Sequence, residues 1–495
     1  MSIASASNVR AAATTEDELP PVTRLLAEEM LALDANEGTL RKAELNFLDY
    51  FSCALATRDL PWTRQALSVV GRWPVANGSQ VIGTDLLVSP PDAAFLNGLM
   101  AAFTSRTDIH PSVSGHPCVS IFPVALALLG QKRVSGRDFL NAIVAGYEVM
   151  GRLGRLLVND KFRSNFRSTS ILGCVSASFT ASRILGLDLD RAVNAVALAS
   201  NWASGLQEWG HSGATEQFYQ GANAARAATA AALLAEQGVD GSSTILEGKS
   251  GLVAAFGDRF RAAELLTRPA GERREIELTD IKRVAACTFV QAGVYATERL
   301  IEQHRFDPTL IEKVEVETYA AALNCPGVDN AGPIDGILAA RMSMQHSVAS
   351  VLVRQSVSDD NFFEYDNPAV GLVTRKVIVA DRGDFTSVFP KRQAASVKVA
   401  LSDGKTFSST IDDVPSFEEI GVVERFRSVA KRVLSERQVS KLEVLVRNCA
   451  TLDDVRPILD EVRTETSGIV SSSTSIASAA ATASRAAISP VAPSE

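Results

Sequence analysis

The hydrophobic period of this chain changes once along its length, and that change limits the folds open to it. From about residue 20 to 275, apolar residues recur at the three- and four-residue spacing of helices. Ser135 followed by Asp138 has the spacing of a helix N-terminal capping box, and Gly238 is placed to end a helix. These helices are rich in Ala, Gly and Ser, so we expect closely packed helix axes in a compact core or a subunit interface.

After residue 280 the apolar residues alternate with a period of two. Val314 to Thr318 and the segment 375–381 indicate strands, and 395–411 reads as a hairpin with Asp403-Gly404 at its turn. Helical spacing returns at 416–426. The sequence therefore predicts a mainly α protein, with a large all-helical domain and a smaller α+β lid domain that contains a short antiparallel sheet.

The same patterns divide the chain into segments. We expect a flexible leader at 1–19, the first part of the helical domain at 20–275, the α+β lid domain at 276–415, a helical return at 416–465 and a disordered Ser/Ala-rich tail at 466–495. A cleft between two such domains is a common place for a small-molecule site.

Composition excludes several classes of protein. A net charge of −8 argues against general nucleic-acid binding. No apolar run reaches the ~18 residues that a membrane span needs. The six cysteines are scattered without a CxxC pair, which argues against a zinc ribbon or a disulfide framework and favours a reducing compartment. We expect a cytoplasmic protein, and the leader leaves a mitochondrial location open. Phosphate-binding loops and the GxSxG motif of serine hydrolases are absent.

The loop TDIHPSVSGHPC (107–118) holds two of the five histidines, His110 and His116, together with Asp108. The six-residue spacing of the histidines does not match a helical metal pair, and we expect no metal. A histidine near a carboxylate can act as general acid or base. The same side chains can instead cap the next helix and bond the backbone, and spacing alone leaves both interpretations open.

Two further segments carry charge into apolar surroundings. Arg167 ends a basic run at 151–168 that suits a polycarboxylate or a solvated helix end. Lys282 and Cys287 lie in a mostly apolar stretch. The lysine can orient a carboxylate, and the cysteine more often serves as a small hydrophobic residue.

The order of segments resembles the MmgE/PrpD family over roughly residues 20–465. The stretches that carry the resemblance are 48–56, 93–103, GHPCVSIFPVALAL (115–128), 181–199, GANAARAATAAALLAEQG (221–238), 243–252, RMSMQHSVA (341–349) and the lid hairpin. The resemblance implies a cofactor-free, often homodimeric enzyme that acts on di- or tricarboxylates by dehydrating 2-methylcitrate or decarboxylating cis-aconitate.

The site of this chain departs from the family pattern. Ser105 stands where the family has its first acid, Arg167 where it often has a histidine, and Gln217 where it has a lysine, unless a shifted gap places Glu216 there. Cys287 falls where some members have histidine. The resemblance thus implies His116 as the acid or base, helped by Asp108 or His110. The residues expected to bind substrate are Arg167, Lys282, Gln217, Ser105 and Cys287.

The leading hypothesis is a cofactor-independent lyase, most simply a dehydratase of 2-methylcitrate or a related alkylcitrate. A cis-aconitate-type decarboxylase, an epimerase or isomerase at a carbon beside a carboxylate, and a catalytically degenerate paralogue that binds an anion or a partner are the alternatives. We expect a homodimer, a di- or tricarboxylate ligand, and no nucleic acid or membrane partner.

Overall fold

The computed structural model describes residues 19–268, 271 and 273–464. The tail predicted at 466–495, and the leader except for residue 19, lie outside these residues. Within them, helices dominate, and the strands form a two-stranded and a four-stranded sheet. This confirms the predicted fold class.

The first part of the chain folds almost entirely into helices. They are α1 (Val22–Ala32), α2 (Glu37–Ala56), α3 (Pro61–Val70), α4 (Pro90–Phe103), α5 (Cys118–Leu128), α6 (Gly136–Leu157), α7 (Asp160–Asn165), α8 (Ser168–Leu185), α9 (Leu189–Trp202), α10 (Trp209–Ser212), α11 (Glu216–Glu236) and α12 (Leu252–Phe256). Two very short strands, β1 (Ser79–Gln80) and β2 (Leu87–Val88), pair between α3 and α4, where the sequence predicted helices only.

Local signals set the ends of these helices. The Ser135 side chain accepts a hydrogen bond from the backbone N–H of Asp138 at 3.1 Å, as predicted. Gly238 follows α11 with a φ of +91°, a left-handed conformation that glycine adopts readily.

Small residues bring the helix axes together. A Cβ at Gly98 in α4 would lie 2.7 Å from the carbonyl oxygen of Val119 in α5 and 3.3 Å from the Cα of Ala222 in α11. Helix α11 also packs on α8 and α9. The buried side chains of these helices form a continuous hydrophobic core, which also includes Val113 of the loop between α4 and α5.

The remaining elements build the smaller α+β part and the return. They are α13 (Gln291–Gln303), β3 (Ile311–Thr318), α14 (Ala320–Leu323), α15 (Ile337–Met342), α16 (Met344–Arg354), α17 (Asp360–Phe363), α18 (Pro368–Thr374), β4 (Val377–Asp381), α19 (Gly383–Val388), β5 (Ala395–Leu401), β6 (Thr406–Ile411), α20 (Glu419–Ala430), α21 (Glu436–Arg447) and α22 (Pro457–Glu461).

The four-stranded sheet has the order β4-β3-β5-β6. The predicted hairpin β5–β6 is antiparallel, as is the β3–β5 pair. Strand β4 runs parallel to β3, which differs from the wholly antiparallel sheet that we expected. The chain crosses from β3 to β4 through α14 to α18, and a helical crossover of this kind returns the next strand in the same direction.

The last helices return to the first part of the chain. Helices α20 and α21 pack on α2. Arg425 of α20 forms an ion pair with Asp49 of α2, and it donates a hydrogen bond to the carbonyl of Lys282 at 2.7 Å. Helix α20 therefore holds the segment that carries Lys282 next to α2. The exact domain boundaries stay predictions.

No helix in the described part of the chain combines the length and the apolar character needed to cross a bilayer.

Candidate active site

The loop between α4 and α5 has a strained backbone, which contacts with another segment of the chain hold in place. Ser105 and Ser114 have φ values of 54° and 50°, in the left-handed region that non-glycine residues rarely adopt. Ile109 pairs with Asp280 by backbone hydrogen bonds. Backbone conformations of this kind cost about 1–3 kcal/mol each and often occur at functional sites. The loop is therefore a candidate site on geometric grounds.

His116 is held in one tautomer. Its Nδ1 donates a hydrogen bond to the backbone carbonyl of Asp108 at 2.7 Å, which leaves Nε2 as an acceptor. Burial lowers the pKa of His116 well below its usual value, and the charges of Lys282 and Arg167 lower it further. The imidazole is thus neutral at pH 7 and can accept a proton.

Asp108 orients His116 through its main chain rather than its carboxylate. The buried carboxylate accepts hydrogen bonds from the Tyr147 hydroxyl at 2.6 Å and the Cys118 backbone N–H at 3.1 Å, and also from the Asn46 side chain. Burial raises the pKa of Asp108, and the bonds from Tyr147 and Cys118 oppose that effect. This carboxylate therefore anchors the loop to α2, α5 and α6.

The second histidine of the loop has a different partner. His110 is fully buried, and its Nε2 lies 2.9 Å from a carboxylate oxygen of Glu275. Glu275 also pairs with Arg155. These contacts tie the loop to α6 and to the turn at Glu275–Leu278. They do not bring His110 to His116, so we assign it no catalytic role below.

Two predicted cations flank His116. Arg167 precedes α8, its guanidinium lies 5.1 Å from the centre of the Trp209 ring, and its Nε has no hydrogen-bond partner in the described chain. Lys282 is buried and donates to the carbonyls of Ser105 and Ala286. Burial lowers the pKa of Arg167 to about 10 and that of Lys282 to about 8, so both are charged at pH 7. Within the described residues, neither makes a salt bridge.

Arg341 is a third cation, which we did not predict from the sequence. It is completely buried, donates to the carbonyl of Phe362 at 2.9 Å and to that of Phe103, and lies 3.5 Å from the Ser105 hydroxyl. One of its terminal nitrogens has no partner in the described chain. The only sequence signal was a single arginine in RMSMQHSVA (341–349), a stretch used for the resemblance but not for the site.

The last two predicted residues are Cys287, which contacts Arg341, and Gln217, which lies on α11. The N–H of Cys287 donates to the carbonyl of Arg341 at 2.9 Å, and the residue is half-buried. Gln217 is buried in the first turn of α11, with no partner for Oε1 in the described chain. One turn later Gly221 faces Thr169, whose hydroxyl accepts the His116 backbone N–H. Gln217 thus lies on the face of α11 that is turned to the loop.

The resulting site combines a neutral histidine with the two cations Arg167 and Lys282, and Arg341 contacts the same loop at Ser105. Repulsion among like charges in a desolvated site is unfavourable, and a bound polyanion would relieve it. Among the described residues, no three His, Cys, Asp or Glu side chains are grouped as metal ligands. The arrangement can bind several carboxylates and move a proton beside them.

Comparison with known proteins gives this geometry a context. Residues 27–264 match the MmgE/PrpD N-terminal domain, and residues 284–451 match the MmgE/PrpD C-terminal domain. The chain is 24% identical to a cis-aconitate decarboxylase of Aspergillus terreus, over 88% of this chain and 94% of that protein. It is 27% identical to the human cis-aconitate decarboxylase, over 75% of this chain and 79% of the relative.

A 2-methylcitrate dehydratase of Salmonella typhimurium is 24% identical, over 74% of this chain and 80% of the relative. Identity therefore does not separate the two activities. The two matched domains follow one another along the chain and together span most of it. The chain belongs to the MmgE/PrpD family.

Proposed function

We propose that this protein is a lyase that eliminates water from a citrate-type tricarboxylate, such as 2-methylcitrate or a related alkylcitrate. The observation that carries the proposal is the group of three cations, Arg167, Lys282 and Arg341, none of which has a salt bridge in the described chain. Arg167 and Lys282 act on the neutral His116, which has a free acceptor nitrogen, and Arg341 contacts the same loop at Ser105.

Charge is the first argument. A tricarboxylate carries about three negative charges at pH 7, since ordinary carboxyl pKa values are near 4. Arg167 can hold one carboxylate through a bidentate fork, because its Nε has no partner in the described chain. Lys282 is the second candidate contact. Arg341 has the least freedom, as its other nitrogens already bind backbone carbonyls, so it contributes mainly its charge.

Proton transfer is the second argument. Elimination of water requires a base to remove a C–H proton beside a carboxylate. His116 suits that role because its Nδ1–H is already committed to the Asp108 carbonyl and Nε2 accepts. Nearby cations stabilise the negative charge that develops on the substrate carboxylate as the proton leaves. The imidazolium that forms can give that proton to the departing hydroxyl oxygen, which leaves as water, so the step balances with the side chains of this chain and requires no cofactor.

Decarboxylation of cis-aconitate is the second candidate. It is favoured by the coverage of the Aspergillus terreus relative, which matches over 94% of its length. That reaction requires a proton donor at carbon, whereas burial leaves His116 unprotonated at pH 7. The neutral state of His116 at pH 7 is the reason for placing dehydration first. The expected dimer and compartment stay predictions.

The test is to incubate the purified protein with 2-methylcitrate and with cis-aconitate and to analyse the products by mass. Loss of water from the first supports the proposal, and loss of CO₂ from the second supports the alternative. Solvent deuterium incorporated without any loss of mass would indicate an isomerase. No change in either compound would refute both lyase assignments.

Variants test the assigned roles. His116→Gln should lower turnover at least 100-fold, because general base catalysis contributes roughly 10²–10⁴-fold. Arg167→Met should weaken binding by about 10- to 100-fold, since a hydrogen bond to a charged group is worth about 1.5–3 kcal/mol. His304→Gln is the matched control, because that ring stacks on Phe407 in the lid hairpin. It should leave turnover unchanged.

A further inference from the structure

Two glycines of α6 lie on the side of that helix that faces the loop of the candidate site. A Cβ at Gly154 would lie 2.7 Å from Cγ2 of Val113 in the loop and 3.0 Å from its Cα. A Cβ at Gly151 would lie 2.5 Å from Cδ of Glu275 and 2.7 Å from its Cγ. Glycine in the interior of a helix is unfavourable relative to alanine. These two positions therefore leave space that the loop and the Glu275 side chain occupy.

Glu275 is held above Gly151 from several directions. Its backbone N–H donates to the carboxylate of Glu148 in α6 at 3.2 Å. Burial opposes ionisation of Glu275, but the hydrogen bonds of His110 and Arg155 leave its pKa below the usual value. An ionised carboxylate only accepts, so Nε2 of His110 donates to it, at 2.9 Å. The side chains of Glu275 and His110 are 3% and 1% exposed, so this bond is shielded from water.

His110 belongs to the turn that carries His116. Its backbone N–H donates to the carbonyl of Gly115 at 3.0 Å, and its own carbonyl accepts the N–H of Ser114 at 2.9 Å. These bonds fold the chain back on itself, so that His116 returns to Asp108 and donates its Nδ1–H to that carbonyl at 2.7 Å. The side chain of His110 therefore anchors a turn whose shape sets the orientation of the His116 ring.

The contacts of the same turn with α8 are between neutral groups. Thr169 accepts the backbone N–H of His116 at 3.2 Å, and the Ser168 hydroxyl donates to the carbonyl of Ser114 at 3.2 Å. The bond from His110 to Glu275 is shorter and has an ionised acceptor, and hydrogen bonds to ionised groups are roughly twice as strong as neutral ones. It is therefore a stronger anchor of the turn than either contact with α8.

We propose that Glu275 is a positioning residue for the candidate base. Through His110 it holds the turn 110–116 so that His116 keeps its Nδ1–H on the carbonyl of Asp108, and Gly151 provides the space that the carboxylate needs. This inference rests on the role of His116 in the proposed function. If the His116 ring turned or changed tautomer, Nε2 would no longer be an acceptor aimed at the substrate, and a misplaced group can cost about 100-fold in rate.

The experiment displaces the carboxylate in two independent ways. Glu275→Ala removes it. Gly151→Ala pushes it aside, because the three atoms nearest to the new methyl group all belong to the flexible Glu275 side chain. Each variant should lower kcat for 2-methylcitrate by about 10- to 100-fold. The affinity for tricarballylate, which has no hydroxyl group to lose, should stay unchanged. Glu275→Gln keeps an acceptor for His110 and should restore most of the kcat.

A combined variant and a control separate positioning from a general loss of structure. Adding Gly151→Ala to Glu275→Ala should lower kcat no further, because the new methyl group has no carboxylate left to displace. Gly371→Ala in α18 is the matched control. Its methyl group would lie 4.0 Å from Nη1 of Arg375, an ordinary contact distance, and this variant should keep full turnover.

The tautomer of His116 gives a readout that does not depend on turnover. In protein labelled with ¹⁵N-histidine, NMR of the ring nitrogens should show His116 in one tautomer with Nδ1–H in the wild type. The signal is assigned by its loss in His116→Gln. Glu275→Ala and Gly151→Ala should show exchange between the two tautomers, whereas Gly371→Ala should give the spectrum of the wild type.

The outcomes separate this inference from the proposed function. If the wild type dehydrates its substrate and Glu275→Ala and Gly151→Ala each lose less than about tenfold in kcat, the positioning role is wrong while the lyase assignment stands. Losses that multiply in the combined variant also overturn it, as does an unchanged His116 signal in both single variants. A wild type that eliminates no water refutes the proposed function, and the NMR spectra then decide the positioning role alone.

Discussion

Replacing Asp359 by Asn should destabilise the protein by about 3 kcal/mol. Asp359 lies between α16 and α17, and both of its carboxylate oxygens accept hydrogen bonds from Arg106, at 2.6 and 2.7 Å. Arg106 follows Ser105 in the loop that carries His116. This pair therefore joins the α+β part of the chain to the candidate active site, across a large sequence separation.

The magnitude follows from burial. Breaking a buried ion pair at one partner costs about 3–5 kcal/mol, because the remaining charge stays desolvated and unpaired. The Arg106 side chain is 1% exposed and that of Asp359 is 24% exposed, so water reaches the acid but not the guanidinium. We therefore expect the lower end of that range. The exposed pair Arg24–Asp190 is the control, with side chains 50% and 79% exposed. Asp190→Asn should cost less than about 1 kcal/mol.

The pH dependence has a defined sign. Burial opposes ionisation of Asp359, but the charge and hydrogen bonds of Arg106 leave its pKa below the usual value. A carboxyl group with a lowered folded-state pKa stabilises the protein above its unfolded pKa of about 3.9, and that contribution is lost as pH falls through the folded pKa. The difference in the free energy of unfolding between wild type and Asp359→Asn should have its full size at pH 7 and should become smaller below about pH 4.

Urea unfolding measures the free energy of unfolding of wild type, Asp359→Asn and Asp190→Asn, both at pH 7 and at lower pH. A second variant, Arg106→Met with Asp359→Leu, removes both charges and should recover part of the lost stability. The reasoning is refuted if Asp359→Asn and Asp190→Asn have the same free energy of unfolding. It is also refuted if the double variant is no more stable than Asp359→Asn.

Three further predictions concern the loop, the helix packing and the lysine. Tyr147→Phe should destabilise the protein by about 1–3 kcal/mol, because the buried Asp108 carboxylate loses a donor at 2.6 Å, and urea unfolding measures the loss. Gly98→Ala should lower the unfolding temperature, because the new methyl group would lie 2.7 Å from the Val119 carbonyl oxygen. Ala102→Gly, in the same helix, is the control and should not cause the same loss of packing between helices. Binding of tricarballylate, a tricarboxylate without a hydroxyl group, should weaken by at most about tenfold per pH unit as Lys282 deprotonates above pH 8. Calorimetry measures this binding and should show no such weakening for Lys282→Arg.

Local patterns in the sequence determined the fold class. Helical spacing before residue 280 and alternation after it follow from which side chains each element buries, and both are visible within short windows. Capping by Ser135 and the left-handed Gly238 involve residues only a few positions apart. The direction of β4 depended instead on a long helical crossover, and the alternation within one strand carries no information about it.

The candidate site was predicted only in part for the same reason. His116, Arg167 and Lys282 were chosen from residue type and family resemblance, and the fold places all three within electrostatic reach of one another. Sequence could not indicate that the backbone of Asp108, rather than its carboxylate, holds His116, because a carbonyl is present at every position. Nor could it indicate that His110 pairs with Glu275.

The sequence by itself determined that this chain forms a helical core with a smaller α+β part, and that one loop holds two of the five histidines. Only the tertiary structure decided which cations meet there without a salt bridge, and that Arg341 and Lys282 both contact Ser105. The physical reason is range. Periodicity and capping are set by residues within a few turns, whereas the charge and proton affinity of a buried site depend on partners brought together from distant parts of the chain.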